Sequence, residues 1–247
     1  MQYPIDIFDN HVILIDKDKR FLIDTGAPIS ISDGSSIDVF NNVYSTEKTY
    51  HGANINEIGN YVGCGLNALI GNNILANYVF QIDFNNKLFS IWNSLPKETI
   101  NTEDFIEADF QGIPTIDVLI NNDNPITSWL DTGAKISYIN KNYVQQLDPM
   151  ENQKDFFPSY GEFEVPIYNI PLIFNGVEIP FKFGVLPDDL EAAMLSGRTS
   201  AIIGADIFYH FTLTFNYNQK RIYIKNFWRG KYIWKEDRNV LKMMINS

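Results

Sequence analysis

The chain has 247 residues, 45% hydrophobic and 20% charged, a globular composition with enough apolar side chain to bury a core. Its net charge of −11 sets aside general nucleic-acid binding, which needs a basic face. A single cysteine excludes an intrachain disulfide, and no apolar run approaches the length of a membrane span.

Abundant Tyr, Phe, Ile and Val favour strands, and most elements read that way. "HVILID" and "RFLID" flank the charged turn Lys17 to Lys19 and predict a hairpin. "KTYHGANINEIGNYVG", Lys48 to Gly63, has strand-forming ends around a polar middle and predicts a second. A short helix is expected near Asn73, where an Asx side chain can cap its first turn. The pair "FQIDF" and "KLFSI" follows as a hairpin, and the polar stretch Ser94 to Asp104 reads as a linker. "TIDVLI" and "TSWLD" form the next hairpin, with "FFPSYGEFEV" a later candidate. "DDLEAAMLSG", Asp188 to Gly197, predicts a helix, with acids at its start and a glycine at its end. A short helix near Asp206 and the hairpin "LTFNY" and "KRIYI" complete the ordered part. After Asn226 comes a tail whose aromatic half, with Phe227, Trp228, Tyr232 and Trp234, is expected to pack on the body. Its "KEDRNVLKMM" half reads as helical.

One pattern occurs twice. "FLIDTGAPIS" begins at Phe21 and "SWLDTGAKIS" at Ser128. Each is followed by a second landmark, "ALIGNNI" around Gly71 and "AIIGADI" around Gly204, and from there the copies align without a gap. The aspartates are 107 positions apart and the glycines 133, so the second copy carries 26 extra residues between its landmarks. Such an insertion belongs in loops or an added hairpin. The expected organisation is therefore an N-terminal unit 1–97, a linker 98–107, a C-terminal unit 108–226 and a tail 227–247.

An aspartate at a strand end, followed by Thr-Gly, sits on a tight loop that glycine permits. Two such loops can meet and bring two carboxyls within hydrogen-bond reach. Like charges that close do not both ionise easily, so one pKa falls, the other rises, and the titration belongs to the pair. A half-protonated pair can activate a water: the ionised carboxylate takes its proton while the other carboxyl protonates the attacked carbonyl oxygen.

The duplicated Asp24-Thr25-Gly26-Ala27 and Asp131-Thr132-Gly133-Ala134, each with its apolar-apolar-Gly landmark, resemble the aspartic peptidases of the pepsin and retropepsin clan. The resemblance covers roughly residues 5 to 226 and looks like a compact single-chain fusion of two retropepsin-like units. It implies an all-β, two-lobed fold with pseudo-two-fold symmetry and a few short helices. It implies an aspartic endopeptidase with Asp24 and Asp131 as the catalytic pair. Thr25 and Thr132 would bond across to the opposite loop's backbone. Gly26 and Gly133 would let their N–H groups approach the carboxylates. The substrate would be an extended peptide or unfolded segment, the chain would act as a monomer, and no cofactor or metal would be needed.

The chain departs from the families it resembles in two places. Pepsins follow Asp-Thr-Gly with Ser or Thr; here Ala27 and Ala134 offer no hydroxyl, which points to a mildly acidic to near-neutral optimum. Retropepsins often place an arginine after the landmark glycine, where this chain has Asn72 and Ala205. A covering flap is expected either at Lys48 to Gly63 or at "FFPSYGEFEV", with Tyr50 or Tyr160 as its tyrosine.

Alternatives remain in view. The same fold could serve as a silent peptide-binding or inhibitor module, although such a module is free to lose an aspartate or a threonine and this chain keeps all four. The repeats could also build another β sandwich that never joins its loops. Cys64 with His51 could make a nucleophile and base, but a lone cysteine in a glycine loop reads first as an unpaired thiol. His11 and His210 read as packing residues, and the three histidines show no zinc spacing. "MQYPIDIFDN" has neither the basic start nor the apolar core of a signal peptide, and with a single cysteine this favours a cytoplasmic location, the alternative being a secreted or periplasmic protein whose signal has been removed.

Overall fold

The computed structural model describes residues 1–102, 104–110, 112–121 and 125–226. The expected packing of the tail, with Phe227, Trp228, Tyr232 and Trp234, lies outside the described residues. The protein is mostly β, with two large sheets and a few short helices.

Tight turns build the strand pairs locally. Gln2–Phe8 turns into His11–Asp16 through Asp9 and Asn10, with φ of 46° and 63°. Phe40 and Asn41 turn the same way, at 57° and 60°, between Ser36–Val39 and Asn42–Ser45. Two successive left-handed residues match the natural twist of a hairpin, and Asx residues tolerate that conformation. His11–Asp16 then pairs with Lys19–Ile23, placing Ile13 opposite Leu22. Burial decides which face turns inward: Val12, Leu14, Phe21 and Ile23 all enter the largest apolar cluster.

Each copy contains the same parallel pairing. Lys19–Ile23 lies beside Ala68–Ile70, with Ile23 opposite Ile70. Ile126–Leu130 lies beside Ala201–Ile203, with Leu130 opposite Ile203. The aspartates follow directly on the first strand of each pair.

A ten-stranded sheet joins the copies. From one edge it runs through Asp104–Glu107, Arg221–Asn226, Phe211–Asn216, Val79–Asp83, Leu88–Trp92 and Gln2–Phe8. The junction is the antiparallel pair Val79–Asp83 with Phe211–Asn216, in which Gln81 faces Thr214. Only this pair is 133 positions apart, the repeat offset, so Gln81 alone faces its own counterpart and the pairs on either side are exchanged, as happens at a two-fold axis. Gln81 Nε2 donates to Thr214 Oγ1 at 2.8 Å on that spot. Around it Phe80 stacks on Phe215 at 4.6 Å and on Phe89 at 5.5 Å, and one apolar cluster draws on both copies.

The stretch read as a linker contains Asp104–Glu107, which pairs with Arg221–Asn226 at the edge of this sheet. The extra length of the second copy goes into a seven-stranded sheet with long strands, Glu151–Phe157, Gly161–Phe174 and Val177–Gly184. Lys48 to Gly63 is not one hairpin. Only Thr49–Tyr50 and Ala53–Asn54 pair, and a helix, Ile55–Val62, takes the rest. A capping box drives it: Asn54 Oδ1 accepts from Glu57 N at 3.1 Å, and Glu57 Oε2 accepts from Asn54 N at 2.8 Å. The helix at Asp188–Ser196 is present. Short helices also form at Asn72–Leu75 and Ala205–Tyr209, but no side chain caps them.

Candidate active site

Asp24 and Asp131 meet where the two loops touch. Each is fixed by the parallel strand beside it: Asp24 N donates to Ile70 O at 3.0 Å, and Asp131 N to Ile203 O at 2.9 Å. Asp24 Oδ1 accepts from Ala27 N at 2.9 Å, and Asp131 Oδ1 from Gly133 N at 2.8 Å. The carboxyls are hydrogen-bonded to one another, and Asp24 is only 9% exposed.

The glycines explain how the loops come this close. A Cβ on Gly26 would overlap the Asp131 carboxyl, and a Cβ on Gly133 would overlap that of Asp24. Only a residue without a side chain fits between carboxyl and opposite loop.

The threonines lock the loops reciprocally. Thr25 N donates to Thr132 Oγ1 at 3.0 Å, and Thr132 N to Thr25 Oγ1 at 3.0 Å. Thr25 Oγ1 then donates to Leu130 O at 2.7 Å, and Thr132 Oγ1 to Ile23 O at 2.8 Å. Both side chains are fully buried, and each hydroxyl is both donor and acceptor.

The landmark glycines brace the loops from below. Asn72 N donates to Ala27 O at 2.8 Å, and Ala205 N to Ala134 O at 2.9 Å. A Cβ on Gly71 would lie 2.5 Å from Ile29 O, and one on Gly204 2.5 Å from Ala134 O. The repeated serine supplies a link that sequence reasoning missed. Ser30 Oγ accepts from Gly71 N at 2.9 Å and donates to Asn73 Oδ1 at 2.7 Å. Ser137 Oγ accepts from Gly204 N at 2.8 Å and donates to Asp206 Oδ1 at 2.6 Å. Asn73 and Asp206, expected as helix caps, are instead acceptors for these serines. The signal was the Ile-Ser shared by both motifs.

Electrostatics follow from burial. Desolvation pushes Asp24 well above the usual carboxylate range; the charge of Asp131 adds to this, and the N–H groups of Ala27 and Gly26 oppose it. Desolvation also raises Asp131, against the N–H of Gly133, the hydrogen bond from Asp24, and the N–H groups of Ala134 and Gly26. Both carboxyls are raised and they interact directly, so they titrate as a pair that shares one proton.

One segment touches the first loop and a second packs on it. Tyr50 Oη donates to Gly26 O at 3.4 Å, and its phenol is raised by burial and then by the charges of Asp24 and Asp131. The long second-copy hairpin meets this segment. Its Phe157 ring lies 5.1 Å from His51, and Phe156 stacks on Tyr61 at 4.7 Å. Asp155, buried beside them, accepts from the Tyr138 hydroxyl and from Phe156 N. Tyr160 is exposed and packs on Phe163.

The remaining candidates have other surroundings. Cys64 is a half-buried thiol raised by burial, and His51 packs against Tyr50 and Phe157. His11 is buried, bonds Phe8 O through Nδ1, and burial lowers it to about 4. His210 packs against Phe181 and Phe211. Among the described residues, no three His, Cys, Asp or Glu side chains cluster to hold a metal ion, and no helix is long and apolar enough to cross a membrane. No protein-family model matches the chain, and no curated protein matches it.

Proposed function

We propose that the protein is an aspartic endopeptidase, a single-chain, two-lobed enzyme of the pepsin and retropepsin kind. The observation that carries this reading is the hydrogen-bonded pair Asp24 and Asp131 at the centre of a reciprocal threonine lock. Such a lock has no evident purpose except to hold two carboxyls together at a standing electrostatic cost.

In the proposed reaction a water sits between the carboxyls. Asp131, ionised, takes a proton from it as its oxygen attacks the peptide carbonyl. Asp24, protonated, gives its proton to the carbonyl oxygen. The product is a gem-diol, and its collapse with a proton passed to the departing nitrogen breaks the C–N bond. The substrate is an extended peptide bound by strand-like contacts under the covering segments. Both half-sites lie on one chain, so a monomer suffices.

The test is to incubate wild type and Asp131→Asn with unstructured peptides across about pH 3 to 8 and map the cuts. Cutting by wild type alone supports the reading. Equal cutting by both refutes the assigned pair, and binding without cutting favours a silent peptide-binding module.

A further inference from the structure

One set of bonds beneath the first loop has no counterpart beneath the second. Beneath the first loop stands Asn72, 8% exposed, and at the matching position beneath the second stands Ala205. Asn72 Nδ2 donates to Thr25 O at 2.6 Å and to Gly112 O at 3.1 Å. Its Oδ1 accepts from the Tyr217 hydroxyl at 2.5 Å. Tyr217 comes from the turn after Phe211–Asn216 in the second copy and packs against Phe110 at 4.2 Å.

Thr25 O belongs to the peptide group whose other end is Gly26 N–H. That N–H reaches both Asp24 and Asp131. A donor on the carbonyl side of a peptide polarises it and strengthens its N–H as a donor, and a hydroxyl on the asparagine oxygen does the same to the Asn72 amide. The chain of bonds runs from Tyr217 through Asn72 and the Thr25–Gly26 peptide to the two carboxyls. Ala205 has no polar side-chain atom to offer the Thr132 carbonyl, so this support comes from one side only.

We propose that Asn72 and Tyr217 are positioning residues for the Asp24–Asp131 pair, a one-sided hydrogen-bond relay that favours the singly ionised state and makes the two carboxyls inequivalent. The inference rests on the endopeptidase reading for its kinetic consequence but not for its electrostatic one. The other titratable groups that feel the pair are the phenols of Tyr50 and Tyr138, and neither belongs to the relay.

The experiment uses the full chain labelled with ¹³C at aspartate carboxyls, as wild type, Tyr217→Phe and Asn72→Ala. Tyr217→Phe keeps the ring packing and removes only the hydroxyl, so it tests the relay even if Asn72→Ala folds poorly. The pair's carboxyl titration is expected to move to higher pH in both variants, because each weakens a donor to the ionised form. For a cleaved peptide, kcat is expected to fall roughly 3- to 10-fold with KM nearly unchanged, the effect of one weakened hydrogen bond. Unchanged titration and kcat in folded Tyr217→Phe overturn the relay, as does a change in thermal midpoint alone. If wild type cuts no peptide, the endopeptidase reading fails, and the carboxyl titration still decides the relay.

Discussion

Thr25 and Thr132 each complete the other's hydrogen bonding. The hydroxyl of one accepts the backbone N–H of the other at 3.0 Å and donates to the carbonyl just before the other's aspartate. Neither hydroxyl has a role inside its own loop, and each loop satisfies its buried groups only when the other is present.

Replacing either threonine by valine keeps the shape and removes the hydroxyl. Thr25→Val strands the buried Thr132 N–H and Leu130 carbonyl, and a cost of about 2–4 kcal/mol is expected. Thr25→Ser retains both bonds and is expected to cost about 1 kcal/mol or less. Urea unfolding midpoints compare the two, and equal losses would contradict the role of the hydroxyl.

The landmark glycines are sites of close approach. In Gly71→Ala the new methyl meets Ile29 O and Ala27 O, and Ala27 O cannot retreat without losing its bond from Asn72 N. Gly204→Ala meets Ala134 O under the same constraint from Ala205 N. Each substitution is expected to destabilise by about 3 kcal/mol, read as a lowered thermal midpoint.

Burial raises both carboxyls, and neither Ala27 nor Ala134 supplies a hydroxyl to lower them. The rate should rise as the first proton leaves and fall as the second leaves, with both steps displaced upward. The expected bell lies in mildly acidic to near-neutral solution. Ala134→Ser adds a donor to the charged form and is expected to move the bell to lower pH. A pH–rate profile on one peptide checks both, and a wild-type peak near about pH 2 would sink the account.

Asp206 is pushed up to about 7 by burial, against the hydrogen bond from Ser137. Its folded value lies above its unfolded one, so the folded state binds the extra proton. The associated stability is complete below about pH 4 and is lost as pH rises through about 7. Asp206→Asn keeps an acceptor for Ser137 and removes the titration. Relative to wild type, it is expected to gain up to about 4 kcal/mol between about pH 4 and 8. The dyad slopes stability in the same direction, so only the difference between the two proteins isolates Asp206.

The motif pair, the hairpins and the helix at Asp188–Ser196 were legible because their signals are local and because each copy checks the other. Ile55–Val62 was legible too, through Asn54 and Glu57, but the glycines of that stretch drew the reading towards a hairpin. In the event Gly63, at φ 86°, serves as the helix stop. The link from Tyr138 to Asp155 joins residues far apart in sequence with no repeated counterpart, so no pattern marked it. Asn72 was visible only as a departure, since its partners Gly112 and Tyr217 come from elsewhere in the chain. Sequence shows what repeats; it hides what the fold does once.

The sheet that passes through Gln81 and Thr214 also governs when the chemistry can exist. A growing chain that has emerged only as far as Trp92 holds one carboxyl with no second to share a proton. The partner, Asp131, comes 107 residues after Asp24, and the strands Phe211–Asn216 and Arg221–Asn226 that join the copies come later still. A nick that lets the halves part would undo the pair again. Under the proposed reaction, a piece of chain that ends before Asp131 carries only half of the pair.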